Sequence, residues 1–307
     1  MVTIPLIDLS EGVDKKALSE TLRDCCTTHG FFFLTGHGVD GAASGRILEV
    51  SRQFFALSDQ DKELCSVNEY HRGYTRFGEE RLDPANQSCG DTKEGFYCGS
   101  EPSQEDRGRF RLLGPNNWPD ERLIPDFRRI LEEYQEGMCD LGRKVNRYLA
   151  MALNQKEDCF DKAFEKPMGY VRLLRYSGQK SEPERGIFAA GAHSDYGHIT
   201  YLLTDGEPGL QVFVDKEWKD VEAPPGAFIC NIGDMLERWS NGYFRSTVHR
   251  VVNTTGRERY SIPFFLDPRF DALVSPLPGC GEPKYEPILS GDYLISKYRD
   301  THENFDK

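Results

Sequence analysis

Three residues in the back half of the chain are of types that hold metal ions. His193 and Asp195 lie in Gly191-Ala192-His193-Ser194-Asp195, and His249 lies in Thr247-Val248-His249-Arg250-Val251. Residues two apart in a strand point to the same face, so His193 and Asp195 could approach one ion together. A neighbouring strand could bring His249 alongside. Two imidazoles and a carboxylate on one side of an ion leave coordination positions open, as oxygen chemistry at non-haem iron(II) requires. On spacing alone the same residues could equally be packed or capped, because His-x-Asp pairs occur by chance.

A second group follows in Arg259-Tyr260-Ser261-Ile262-Pro263-Phe264-Phe265. In a strand, Arg259 and Ser261 share a face, and a guanidinium fork beside a hydroxyl suits a carboxylate. An open-faced iron with such an anchor nearby would hold a keto diacid. The plainer alternative is a strand-edge arginine in a surface ion pair.

Strands must position these residues. From Met168 onward, apolar runs at 169–176, 198–203, 210–214, 226–232, 246–252 and 259–266 are separated by turns such as Asp205-Gly206-Glu207-Pro208-Gly209. That spacing predicts a sandwich or barrel. The front half reads differently. Ile4 to Leu9 forms a short strand, and a helix carries Leu18, Leu22, Cys25 and Cys26 and stops at Gly30. Phe31 to Leu34 is a buried strand, and a second helix carries Ile47, Val50 and Phe54. The stretch from Asn68 to Trp118 reads as irregular. A long helix opens at Pro125 and runs to Leu149, and Ser290 to Thr301 forms a last amphipathic helix. The expected architecture is mainly β with a helical N-terminal half. We divide it into an N-terminal helical and irregular region (1–120) and a long helix plus β core with a C-terminal helix (121–307), together one compact unit.

Composition narrows the function classes. The 307 residues carry 50 acidic against 38 basic side chains, a net charge of −12 that argues against a nucleic-acid binder. The nine cysteines form no Cys-x-x-Cys pair, so a reducing, cytoplasmic setting without structural zinc is the simpler expectation. No run approaches the roughly 18 apolar residues of a membrane span, and no secretory leader is visible. A monomer is the default for an acidic chain without a coiled-coil pattern.

Collinear phrases then resemble one family along nearly the whole length. They are IPLIDLS (4–10), GFFFLTGHGV (30–39), FFALSDQDK (54–62), RGYTRFG (72–78), DTKEGF (91–96) and GPNNWP (114–119). AHSDYGHIT (192–200), GLQVF (209–213), NIGDMLERWSNG (231–242), STVHRVV (246–252) and RYSIPFFLDP (259–268) complete the set. The chain resembles the isopenicillin N synthase-like branch of the iron(II)/2-oxoglutarate-dependent oxygenases. The resemblance implies a double-stranded β-helix, or jelly-roll, core flanked by α-helices. It implies iron(II) on His193, Asp195 and His249, and 2-oxoglutarate on Arg259, Ser261 and Tyr176. Tyr176 sits in Leu174-Arg175-Tyr176-Ser177, where the family usually reads Asn-Tyr-Tyr-Pro. The implied reaction uses dioxygen, gives succinate and carbon dioxide, allows ascorbate, and hydroxylates, desaturates or cyclises a small organic molecule.

For the substrate, Arg72, Tyr74, Arg76, Glu94 and Phe96 fall where the family places its barrel mouth, with Arg107, Arg109 and Arg111 beyond. Arginines holding a substrate carboxylate would make the substrate a small anion. The alternative is that they pair with Glu79, Glu80 and Asp83. Phe188, Phe265 and Trp239 could line an apolar wall or belong to the core. His198 and His37 read as structural. Two rival functions remain at this level: an iron oxidase of the same fold that does without 2-oxoglutarate, and a non-catalytic cupin-like binding protein. A zinc hydrolase lacks its His-Glu-x-x-His signature here.

Overall fold

The computed structural model describes residues 4–103 and 110–301. The strands are β1 (Leu6–Asp8), β2 (Phe31–Thr35), β3 (Gly73–Thr75), β4 (Lys93–Gly99), β5 (Met168–Tyr176), β6 (Ala190–His193) and β7 (Ile199–Thr204). They continue as β8 (Leu210–Val214), β9 (Glu217–Asp220), β10 (Phe228–Ile232), β11 (His249–Val251), β12 (Arg259–Asp267), β13 (Leu273–Val274) and β14 (Ile288–Leu289). The helices are α1 (Lys15–Thr28), α2 (Gly41–Phe55), α3 (Asp59–Glu63), α4 (Phe127–Ala152), α5 (Asp234–Trp239) and α6 (Ser290–Thr301). An eight-stranded sheet runs β1-β2-β10-β7-β12-β5-β4-β3, and a four-stranded sheet runs β6-β11-β8-β9. The larger sheet is antiparallel except for the β1–β2 pair.

Strand periodicity of two sorts side chains to the two faces of the large sheet. Phe32, Leu34, Val171, Leu173, Tyr201, Cys230, Ile262 and Phe264 join the helices in one buried cluster. Their alternates Phe31, Phe33, Leu174, Tyr176 and Ile229 join Leu210, Val212 and Val251 of the smaller sheet in another. The jelly-roll core is therefore two facing sheets, with helices covering the outer side of the larger one.

Local chemistry explains the helices. Asp14 caps α1 by accepting from the Lys16 and Ala17 amides, and Asp40 caps α2 through the Ala42 amide. Along α4, Phe127, Leu131, Tyr134, Met138, Leu141, Val145 and Leu149 recur at three- and four-residue steps and are buried. This face packs on α1, α2, β5 and β12. Gly142 permits the approach, since a Cβ there would meet Leu266 Cδ2 at 2.3 Å. The helix starts at Phe127, after Asp126 in the left-handed region, rather than at Pro125.

The stretch read as irregular contains two strands. β4 lies between β3 and β5 with all seven residues buried. It escapes a pattern search because Lys93 and Glu94 are charged yet buried, so neither alternation nor an apolar run marks it. The strand expected at 246–252 is confined to 249–251, and β6, β9, β13 and β14 lie outside the expected runs. β1 to β4, from the front of the chain, hydrogen-bond into the same sheet as β5, β7, β10 and β12. All nine cysteines are free thiols. Among the described residues no helix is long and apolar enough to cross a membrane.

Candidate active site

β6 and β11 pair antiparallel with His193 opposite His249, so register alone sets the two imidazoles side by side, ring centres 4.4 Å apart. Asp195 is not on the strand as the spacing suggested: β6 ends at His193, and the carboxylate comes from the loop that follows. That loop is held by the start of α5, where the Asp234 amide donates to the Asp195 carbonyl at 2.8 Å and the Met235 amide to that of Gly197 at 3.0 Å. Gly197 is required, since a Cβ would lie 2.0 Å from Asp267 Oδ1.

Ligand-type atoms of His193, Asp195 and His249 lie within 4.8 Å of one another, forming a cluster able to hold a metal ion. Asp195 Oδ1 is 3.8 Å from His193 Nε2 and 3.7 Å from His249 Nε2, too long for hydrogen bonds. The outer partners fix which atoms face inward. His193 Nδ1 donates to the Gly191 carbonyl at 2.8 Å and His249 Nδ1 to that of Thr247 at 3.2 Å, leaving each Nε2 lone pair toward the centre. Asp195 Oδ2 accepts from Thr200 Oγ1 at 2.5 Å and Asn231 Nδ2 at 2.7 Å, which frees Oδ1. Thr200 and Asn231 are direct partners on β7 and β10. Burial pushes the His193 imidazolium down to about 4, helped by His249. Burial alone would raise the Asp195 carboxyl, but His249, His193, Asn231 and Thr200 together hold it below its ordinary range. Neutral imidazoles and an ionised carboxylate are the forms that bind a divalent cation. This donor set fits iron(II).

A cavity of about 70 Å3 between the sheets touches all three residues. One row of its wall is set by pairing across three strands: Lys93 opposite Tyr176, and Tyr176 opposite Arg259. Arg259 is 3% exposed, donates through Nε to the Glu207 carbonyl at 3.1 Å, and lies 4.9 Å over the Tyr176 ring. Its Nη1 is buried without a partner. Ser261, one step along the same face, has its Oγ 3.5 Å from the Tyr176 hydroxyl. The structure thus brings Arg259, Tyr176 and Ser261 together beside the triad.

A second cavity of about 70 Å3 adjoins His193 and Asp195 and is walled by Tyr97, Tyr170, Arg172 and Phe265, with Leu294 and Tyr298 of α6. Phe265 lines both cavities. The other residues considered for substrate lie elsewhere. Arg72 is buried against the Tyr170 ring and donates to the Leu112 carbonyl at 2.9 Å. Tyr74 donates to Glu94 at 2.7 Å, and Glu94 also holds Lys62 and Arg175. Phe96 packs on Phe54 and Phe127, and Phe188 lies under the Arg250 guanidinium. Arg76 pairs with Glu63 at the surface, Trp239 packs on Phe160, and Arg107 and Arg109 fall outside the described residues. Bulk hydrophobicity and position near the mouth do not separate these from true wall residues. His198 bonds Asn146 at 3.0 Å and His37 bonds the Gly226 carbonyl at 2.9 Å, both in structural settings.

Sequence reasoning missed Arg172 and Lys93. Arg172 lines both cavities and pairs with Glu80, while Lys93 bridges Glu80 and Asp91. Asp91 Oδ1 in turn accepts from the Gly191 amide at 2.9 Å, tying this buried charge cluster to the strand that carries His193. The available signal was period two: Arg172 shares a strand face with Leu174 and Tyr176.

Comparison with known proteins agrees with this geometry. Residues 4–121 match the family model described as the N-terminal domain of the non-haem dioxygenase in morphine synthesis, and residues 169–268 match the 2OG-Fe(II) oxygenase superfamily. The chain is 35% identical to a 2-oxoglutarate-Fe(II) type oxidoreductase, hxnY, of Emericella nidulans, over 97% of this chain and 90% of that one. It is 34% identical to a homoarginine-6-hydroxylase of Oryza sativa, with 96% of each covered. A full-length Neurospora crassa protein, solved in complex with alpha-KG and thymine, superposes with a TM-score of 0.87 at 29% identity, covering 97% of this chain and 96% of that one.

Proposed function

Because the chain belongs to the 2-oxoglutarate–iron(II) oxygenase superfamily, and is thus a dioxygenase using iron(II), 2-oxoglutarate and dioxygen, we propose that His193, Asp195 and His249 hold the iron. Arg259, with Tyr176 and Ser261, holds the distal carboxylate of 2-oxoglutarate. The observation that carries this reading is the buried, unpartnered Nη1 of Arg259 in the same cavity as the triad. A buried cationic donor without an acceptor is costly unless an anion arrives. When bound, iron(II) with 2-oxoglutarate and dioxygen supplies the oxidant, with succinate and carbon dioxide as by-products.

The chain's own residues do the positioning. Arg259 receives the carboxylate while the Glu207 carbonyl fixes the guanidinium plane. Thr200 and Asn231 orient Asp195, and the Gly191 and Thr247 carbonyls orient the imidazoles. Leu174, Leu202, Leu210, Val251 and Pro263 line the cavity between the sheets and exclude water from it. The cavity bounded by Arg172 and Phe265 receives the substrate, a small organic molecule with an oxygen for Arg172. The structural relative solved with thymine supports a small-molecule reading. We place the enzyme in the cytoplasm as a monomer, a setting in keeping with nine free thiols.

Anaerobic titration of the iron(II)-loaded protein with 2-oxoglutarate tests the assignment. A saturable visible charge-transfer band is expected in the parent and its absence in Asp195→Ala. An equal band in that variant would remove Asp195 from the site.

A further inference from the structure

We propose that Asp91 is a positioning residue for the iron site. Through the Gly191 amide it pins a β-bulge in β6 that aims the His193 imidazole, and Lys93 holds Asp91 in place. The proposal rests on the reading that His193, Asp195 and His249 hold the iron.

β6 does not present His193 as a regular strand would. Ala190 pairs with Val251 and His193 with His249, and the register shifts between the two pairs. Gly191 and Ala192 therefore stand opposite the single residue Arg250. Such a bulge, one extra residue on one strand, re-aims the side chain that follows it. Residues three apart in a regular strand face opposite sides of the sheet. Ala190 and His193 are three apart, yet both line the cavity between the sheets, together with Val251 and His249. Relaxing the bulge into even pairing would turn His193 out of that cavity.

Gly191, inside the bulge, is held at both of its polar groups. Its carbonyl accepts from His193 Nδ1 at 2.8 Å, the bond that fixes the ring. Its amide donates to Asp91 Oδ1 at 2.9 Å. No side chain fits here, since a Cβ would fall on Gln87 Oε1 and lie 3.0 Å from Asp83 N.

Asp91 is itself immobilised. It is fully buried, its amide donates to the Glu80 carbonyl at 2.8 Å, and its carbonyl accepts from the Gly78 amide at 3.0 Å. Gln87 Nε2 donates to Oδ1 at 2.7 Å, and Lys93 pairs with Oδ2. The lysine keeps a buried carboxylate compensated, and an ionised acceptor binds an amide N–H more strongly than a neutral one. The aim of an iron ligand in the back half is thus set by a carboxylate from the front half.

Losing Asp91 alone would leave Lys93 buried with too little negative charge, so the test changes both residues. Asp91→Asn/Lys93→Met is compared with Asp91→Ala/Lys93→Met. Each removes one anion and one cation, and only asparagine keeps a side-chain oxygen that can accept from Gly191. Iron(II) affinity is read by anaerobic calorimetry, and circular dichroism and melting temperature are read on the metal-free proteins. The alanine protein is expected to bind iron(II) at least about tenfold more weakly than the asparagine protein, with the same fold. Equal iron(II) affinities in the two folded proteins overturn the proposal, whatever the difference in melting temperature. Should the alanine protein not fold, Gly191→Ala attacks the same bond from the bulge and is expected to weaken iron(II) at least about tenfold. Parent-like affinity in Gly191→Ala also overturns the proposal. Failure of the parent itself to bind iron(II) overturns the reading of the site instead.

Discussion

Replacing Arg259 by methionine keeps a long side chain in the wall of the cavity that touches the triad and removes its charge. Two structural consequences pull in opposite directions. The Nε bond to the Glu207 carbonyl is lost, worth about 1 kcal/mol. A buried Nη1 without a partner is lost as well, and leaving such a donor unmet costs about 1–3 kcal/mol, so its removal offsets that loss. The ligand-free protein should therefore melt near the parent temperature. Cosubstrate binding should change greatly, because truncating one partner of a buried charge pair costs about 2–5 kcal/mol. In affinity that is roughly 30-fold to several thousand-fold. Calorimetric titration with 2-oxoglutarate reads it directly, and thermal melting gives an independent check. At a 2-oxoglutarate concentration of about 100 times the parent Kd, the parent gains about 2.7 kcal/mol, whereas a variant binding 100-fold more weakly gains about 0.4 kcal/mol. Unchanged 2-oxoglutarate affinity in a folded Arg259→Met protein would refute the anchor.

Three further outcomes follow from the same geometry. His193→Ala should abolish turnover, read as succinate formation, while circular dichroism shows the fold intact, since the imidazole is half-buried at the end of β6 and its bond to the Gly191 carbonyl is local to that strand. Glu80→Gln should destabilise by about 3–5 kcal/mol in chemical denaturation, because it leaves Lys93 and Arg172 buried with too little negative charge. The pH dependence of stability should expose two opposed groups. Burial lowers His198 to about 3, so the unfolded chain takes up the proton first and stability is lost as pH falls below the ordinary histidine value. Burial raises Asp267 to about 7, so the folded state holds that proton and stability is gained over the same descent. Each amounts to about 2 kcal/mol between pH 7 and 5, and they nearly cancel. Asp267→Asn should therefore lose about 2 kcal/mol more than the parent over that interval, and parallel stability curves would refute the assignment.

The residues able to do chemistry were legible in the sequence because their spacing is local. Arg259 and Ser261 stand two apart on β12, where strand periodicity gives them a shared face, whereas Asp195, two beyond His193, joins the cluster from the loop after β6. The helices were legible for the same reason, since α1, α2 and α4 advertise their buried faces at three- and four-residue steps. Arg72, Tyr74, Phe96 and Phe188 show where this stops. Each is of a type that could touch a substrate, yet each is consumed by packing or by a buried partner.

Register decided what spacing left open. His193 meets His249, and Lys93, Tyr176 and Arg259 form one row, through pairings between strands far apart in the chain. The sequence holds no term for such pairing until the whole sheet is assembled. β4 illustrates the limit: its charged residues hide a fully buried strand, because each charge is neutralised by a group contributed from elsewhere. The sequence by itself determined the kinds of ligand, the strand-rich core and the family. Only the tertiary structure decided that Asp195 reaches the site from a loop, that Lys93 and Arg172 border it, and which residues wall the two cavities beside the triad. Local periodicity is written along the chain, whereas compensation between buried charges and register between distant strands are properties of groups that meet only on folding.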